Sequence, residues 1–180
     1  MAPLLVILAI IATTFLITVF FGAPFVPSRR VDLEKAFTKL YPLSSTDTLV
    51  DVGSGTGIVL RIAARQNSKR LIGYEINPFL VLISRILCRK TPNTQILCRN
   101  FLYSQIPNGT TVIYIFGLDH LIPKLAKKIQ KTVQKTGRPI HLISYAFYLA
   151  DRRPTKKLGA YYLYKFTPDR TLSERTSQNK

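Results

Sequence analysis

The apolar run Thr48-Leu49-Val50-Asp51-Val52 passes without a break into Gly53-Ser54-Gly55-Thr56-Gly57. Glycine supplies positive φ and lets backbone approach a ligand closely. A strand that runs straight into such a turn, with a helical pattern starting at Gly57, is the opening unit of an α/β sheet. The chain keeps that rhythm afterwards. Arg70–Tyr74, Thr94–Cys98, Thr111–Phe116 and Ile140–Tyr145 read as strands, and Gly57–Gln66, Pro78–Lys90 and Leu121–Thr136 as the helices between them. Strands that are apolar throughout and separated by helices predict a mostly parallel sheet covered on both faces. Ala160–Phe166 is a late strand reached without a helix, expected antiparallel at the edge or far end of the sheet. Residues 29–41 read as an amphipathic helix, with Val31, Ala36, Phe37, Leu40 and Tyr41 on one face.

Residues 1–28 carry no ionisable side chain, although the chain as a whole has a formal charge of +17 from 26 Lys and Arg against 9 Asp and Glu. The stretch from Pro3 to Val26 is almost continuously apolar, long enough to cross a hydrocarbon core of about 30 Å as a helix. A cleaved signal peptide is the competing reading, but no Lys or Arg precedes the apolar run. Arg29, Arg30 and the basic body behind them place the body in the cytoplasm and the N-terminus outside. The expected organisation is therefore a transmembrane anchor and Pro-rich link (1–27), one α/β domain (28–167) and a polar tail (168–180). A basic body beneath an anionic leaflet also gains electrostatic attraction to it. Cys88 and Cys98 fall in predicted interior segments and read as buried thiols. With His120 and His141 as the only histidines, a dedicated metal site is not expected.

Glu75 lies immediately after the second strand, in Ile72-Gly73-Tyr74-Glu75. In nucleotide-binding α/β sheets an acid at that place accepts hydrogen bonds from both hydroxyls of a ribose. Asp51 stands two positions before the first glycine of the loop. It is suited to the cationic end of a ligand and would repel a pyrophosphate.

In these residues the chain resembles the class I S-adenosylmethionine-dependent methyltransferases, over most of residues 48–145, and so implies a Rossmann-like sheet. Within that class it is most similar to the membrane-anchored protein-lysine methyltransferases of the adenine nucleotide translocase and the ATP synthase c-subunit, with their prokaryotic relatives. The likeness rests on Pro24-Phe25-Val26-Pro27-Ser28 after the apolar start, on Asp51 to Gly57, on Gly73-Tyr74-Glu75-Ile76-Asn77-Pro78-Phe79-Leu80, and on Ile115-Phe116-Gly117. It implies S-adenosylmethionine as cofactor. Asp51, Gly53, Ser54, Gly55, Thr56 and Gly57 would hold the methionine part, Glu75 the ribose, and Ile76, Asn77, Asn100 and Phe101 would border ribose and adenine. Phe116, Gly117, Asp119, His120 and Tyr145 would face the substrate, a protein with an accessible lysine. The chain departs from the family pattern at Thr56, where an acid is usual, at Phe79, where a tryptophan is usual, and at Asn100-Phe101-Leu102, where Asp, an apolar residue and Trp are usual.

Two other readings stand beside this one. Lys124, Lys127, Lys128, Lys131 and Lys135 fall mostly on one side of a predicted helix, as in an RNA-modifying methyltransferase or on any solvated helix face. Phe116-Gly117-Leu118 replaces the Asn/Asp-Pro-Pro-aromatic motif of amino-methyltransferases acting on DNA bases and glutamine, which weakens the nucleic-acid reading. A non-enzymatic membrane protein with a degenerate cofactor fold is permitted by Thr56 and Asn100 and opposed by Asp51, the three glycines and Glu75. Asp119 and His120 read more readily as a helix N-terminal pair with Asp119 as the cap, and Tyr145 and Tyr148 as packing or as the wall of a lysine channel.

Overall fold

The computed structural model describes residues 3–10, 13, 30–117 and 121–169. Among the described residues seven strands form one sheet in the order β3-β2-β1-β4-β5-β7-β6. They are β1 (Thr48–Val52), β2 (Arg70–Glu75), β3 (Thr94–Cys98), β4 (Val112–Ile115), β5 (Ile140–Tyr145), β6 (Lys156–Leu158) and β7 (Tyr161–Phe166). The first five are parallel, and β7 pairs antiparallel with both β5 and β6. The chain reverses strand order at β1, which has β2 on one side and β4 on the other. In open α/β sheets a ligand crevice lies outside the carboxyl ends of the strands at such a switch.

One face of the sheet is covered by α1 (Arg30–Lys35) with a single π turn after it (Ala36–Leu40), by α2 (Ile58–Ala63) and by α3 (Pro78–Leu87). The other is covered by α4 (Leu121–Thr136) and the β3–β4 connection. Leu33, Ala36, Phe37 and Leu40 form the buried stripe of the first cover. Their i, i+3, i+4, i+7 spacing leaves Val31, expected inward, on the far side and exposed. On α4 the buried row is Ile122, Leu125, Ile129 and Val133.

Three further expectations are corrected. Cys88 is buried, but Cys98 is exposed, because β3 is the edge strand and only Ile96 of it is buried. The strand β6 was not expected; Lys156-Lys157-Leu158 has no apolar alternation, and it pairs because the turn at Gly159 folds it back on β7. The helix expected to reach Lys90 ends at Leu87, and the one expected to Gln66 tightens to a 3₁₀ turn after Ala63. The predicted membrane span falls mostly outside the described residues, as do Arg29 and the tail beyond Asp169. Residues 3–10 are helical, with Leu4, Leu5, Val6, Ile7, Leu8 and Ile10 all more than half exposed. Among the described residues no helix is long and apolar enough to cross a membrane.

The amino ends of the central strands are tied together by one carboxylate. Asp47 Oδ1 accepts from the Tyr41 hydroxyl at 2.9 Å and from Thr111 Oγ1 at 2.7 Å. Its Oδ2 accepts from the Ser44 backbone N–H and hydroxyl, both at 2.9 Å. Thr111 Oγ1 in turn accepts from the Thr48 N–H, so β1, β4 and the turn before β1 share one network. Burial pushes the Asp47 carboxyl up, but the bonds from Thr111, Ser44 and Tyr41 outweigh it and hold the group below its ordinary value. A depressed folded pKa contributes stability above the unfolded value, about 3.9, that is lost as pH falls through the folded one. Asp47→Asn is expected to lower the urea midpoint at pH 7, and the difference from wild type should shrink below about pH 3.

Candidate functional site

The site is built at the carboxyl ends of β1 and β2. Gly53 and Ser54 both donate their backbone N–H to the Tyr74 carbonyl at 2.9 Å, which holds the loop against the end of β2. Gly53 has φ +76°, and the space a β-carbon would occupy there is open to a distance of 4 Å. Gly57 has φ +75°, and a β-carbon there would meet Cys88 Sγ at 2.7 Å. The first of these glycines thus leaves room above the loop, and the last lets α2 pack against α3.

Glu75 is the clamp of the loop. Its Oε2 accepts the Gly55 N–H at 2.9 Å, and its Oε1 accepts the N–H groups of Ile76 and Asn77, each at 2.9 Å. One buried carboxylate therefore fixes both the glycine loop and the start of α3. Lone pairs remain on it, since a carboxylate offers about four acceptor positions.

Asp51 lies beside it on the same face of the sheet, opposite Gly73 in the β1–β2 register. It is buried, and its Oδ2 has no hydrogen-bond partner; the same is true of the buried Ser54 hydroxyl. Burial, and secondly the charge of Glu75, push the Asp51 carboxyl well above its ordinary value. A buried acid without a donor is a costly arrangement in a folded protein. A donor or a cation brought against Asp51 Oδ2 would offset that cost.

Other predicted residues divide. Asn77 is buried as the N-cap of α3, its Oδ1 accepting from Phe79 and Leu80 N–H at 2.9 and 3.3 Å. Its oxygen is thus engaged by the helix. Ile76 is exposed beside it. Asn100 is exposed and its Oδ1 accepts the Leu102 N–H at 2.9 Å, starting a 3₁₀ turn, while Phe101 is buried edge-on against Tyr74 with ring centres 4.9 Å apart. Thr56 is half-buried in the loop. Phe116 and Tyr145 meet edge to face at 4.9 Å, and Tyr145 meets Tyr161 at 4.7 Å. This aromatic group shares the sheet face of Asp51 and Glu75. Tyr161, which sequence reasoning missed, is carried there by pairing with Tyr145 in the β5–β7 register. Gly117 is buried; a β-carbon on it would strike Ile115. Tyr148 does not join the group. It is exposed and lies against Tyr162, on the opposite face, because the antiparallel register alternates sides. Asp119 and His120 lie outside the described residues.

A family model described as the ANTKMT methyltransferase domain matches residues 51–156, which include Asp51, the glycine loop, Glu75, Phe116 and Tyr145. The chain belongs to that family. The chain is 31% identical over 120 residues to the ATP synthase c-subunit lysine N-methyltransferase of Xenopus laevis, covering 65% of this chain and 51% of that protein. The rat protein of the same name is 28% identical over 157 residues, covering 84% of this chain and 70% of its own length. The chain spans about half the length of most of the curated relatives it matches. Among solved structures, an RNA methyltransferase from Salinibacter ruber in complex with S-adenosyl-L-homocysteine shares the fold. Its TM-score is 0.69 at 22% identity, over 80% of this chain and 95% of that one. A dimethyladenosine transferase from Plasmodium falciparum aligns with TM-score 0.54 at 14% identity, over 67% and 43%.

For this methyltransferase domain the raised pKa of Asp51 has a thermodynamic sign. A carboxyl that titrates higher folded than unfolded costs stability as pH rises above the unfolded value. Asp51→Asn is therefore expected to raise the melting temperature of the ligand-free protein at pH 7, with the gain disappearing near pH 4, as read by differential scanning calorimetry.

Proposed function

We propose that the chain is a membrane-anchored, S-adenosylmethionine-dependent protein-lysine N-methyltransferase. The observation that carries this is the buried Asp51 carboxyl, its Oδ2 without a hydrogen-bond donor, beside Glu75 and next to the glycine loop. An ammonium group fits Asp51, relieving both its burial and its repulsion by Glu75. A vicinal diol fits the lone pairs left on Glu75. S-adenosylmethionine carries both groups and, when bound, supplies a methyl group on a sulfonium centre.

The protein's own task is then alignment of the attacking amine, a proximity and orientation effect. Phe116, Tyr145 and Tyr161 form the aromatic wall for a lysine side chain. An aromatic face receives the ammonium, and the low polarity there eases loss of its proton. His120 is our candidate to accept that proton, and Asp119 precedes it in the sequence. Family relatives named for lysine methylation of the ATP synthase c-subunit support a protein substrate. The apolar Pro3–Val26 supports a single-pass anchor, with the N-terminus outside and the domain in the cytoplasm. The position of α1 fits this. Asp32, in its first turn, contributes to raising the Tyr161 hydroxyl pKa, after burial and Tyr145. Leu33 of α1 and Tyr161 of the wall belong to one buried cluster, so an anchor joined to α1 would lie on the side of the sheet that carries the wall.

Titration calorimetry with S-adenosylmethionine tests the cofactor assignment. Glu75→Ala should weaken binding by about tenfold or more; unchanged affinity would remove the ribose assignment. Asp51→Asn should weaken it as well while leaving the protein no less stable. Incubation of membranes and total RNA with methyl-labelled cofactor tests the substrate class. Label is expected on lysine in protein, and label in RNA alone would sink the protein reading.

A further inference from the structure

The β3–β4 connection and α4 enclose a groove of about 650 Å³ on the face of the sheet away from α1. Its floor is built by Lys128. The Lys128 ammonium donates to the carbonyls of Phe101, Leu102 and Ser104 and sits 4.8 Å from the centre of the Phe101 ring. All three of its donors are engaged, so Lys128 holds the connection against the helix and has none left for a ligand. Lys124, Lys127, Lys131 and Lys135 form the row above it. All four are exposed, and no salt bridge is made by any of them among the described residues.

Among the described residues one carboxylate is hydrogen-bonded to α4, that of Asp169 on Gln134 at 2.7 Å, and it makes no salt bridge with this row. No Asp or Glu occurs between Glu75 and Asp119, or between Asp119 and Asp151. Cations three and four residues apart on a helix repel one another. The opposite wall carries two amide side chains, Gln105 and Asn108, and Tyr103, which is 91% exposed. The groove therefore offers a line of positive charge, neutral hydrogen-bonding groups and a free aromatic face.

Its direction decides between anionic partners. Helix α4 leads from the carboxyl end of β4 back to the amino end of β5, so the lysine row runs down the side of the domain for about 16 Å at 1.5 Å per residue. Screening takes effect within about 8 Å, so a partner must follow the row along its length to meet all four lysines. A linear polyanion matches the whole row. Exposed aromatic rings beside a basic groove are the arrangement that binds single strands, by backbone attraction and base stacking.

We propose that this groove binds single-stranded nucleic acid, with Lys124, Lys127, Lys131 and Lys135 on successive phosphates and Tyr103 stacking a base. The site is separate from the aromatic wall and its test reads no methylation, so it stands or falls independently of the substrate assignment.

The test is fluorescence anisotropy of a labelled 12-nucleotide uridine strand with the full chain in neutral detergent, over a range of salt. The variant Lys124→Gln/Lys127→Gln/Lys131→Gln/Lys135→Gln is compared with a charge-matched control, Lys39→Gln/Lys69→Gln/Arg89→Gln/Lys90→Gln, whose four sites are also exposed. The groove variant should bind at least tenfold more weakly. Its log–log salt slope should be shallower by about 3, at about 0.7 per phosphate contact on a single strand. The control should change less than threefold, and Tyr103→Ala should cost about fivefold or more. Equal loss in the two quadruple variants would overturn the proposal, because net charge alone would then explain binding. So would retained RNA binding in a groove variant that has lost binding to phosphatidylserine vesicles or to a poly-glutamate peptide.

Discussion

The site depends on one carboxylate accepting three backbone N–H groups. Glu75 takes those of Gly55, Ile76 and Asn77, and so joins the glycine loop after β1 to the start of α3 after β2. Glycine-rich backbone is entropically expensive to order, and charge-assisted bonds to a buried acceptor are among the stronger ways to order it. The same bonds consume only part of what the carboxylate can accept. A residue that organises the loop thereby remains able to meet a ligand.

Asp51 shows the opposite strategy. Nothing within the described protein donates to its Oδ2, and Glu75 beside it makes ionisation harder still. Such an acid lowers the stability of the empty domain and favours whatever cation or donor fits against it. Strain of this kind is found at functional sites because the surrounding fold over-determines it. Here the fold does so with a central parallel strand on each side of β1 and with the Asp47–Thr111 network tying the amino ends of β1 and β4.

The two faces of the sheet carry different work. Asp51, Glu75, Phe116, Tyr145 and Tyr161 belong to the face covered by α1, α2 and α3. The lysine groove belongs to the face covered by α4 and the β3–β4 connection, which has a 3₁₀ turn in place of a longer helix. That shorter cover leaves the side of α4 open, and Lys128 fastens the connection down over what remains.

Much of this was legible in the chain because the signals were local. Apolar runs punctuated by Gly and Pro marked β1 to β5, and the boundaries of β3, β5 and α4 match the structure. Asp51, the three glycines and Glu75 were found by their positions after strands, which a linear pattern records. What depended on pairing was not. The strand β6 has no alternation of its own, Tyr161 joins the aromatic wall only through the register with β5, and Tyr148 leaves it for the same reason. Cys98 looked interior because nothing in a strand's sequence says that it will lie at an edge. The sequence by itself determined the order of β1 to β5 with the helices between them, and the residues that carry charge, since both follow from neighbours along the chain. Which acid would be left without a partner, and which lysines would line an open groove, were decided only by tertiary packing, because hydrogen bonds and solvent access depend on residues far apart in sequence.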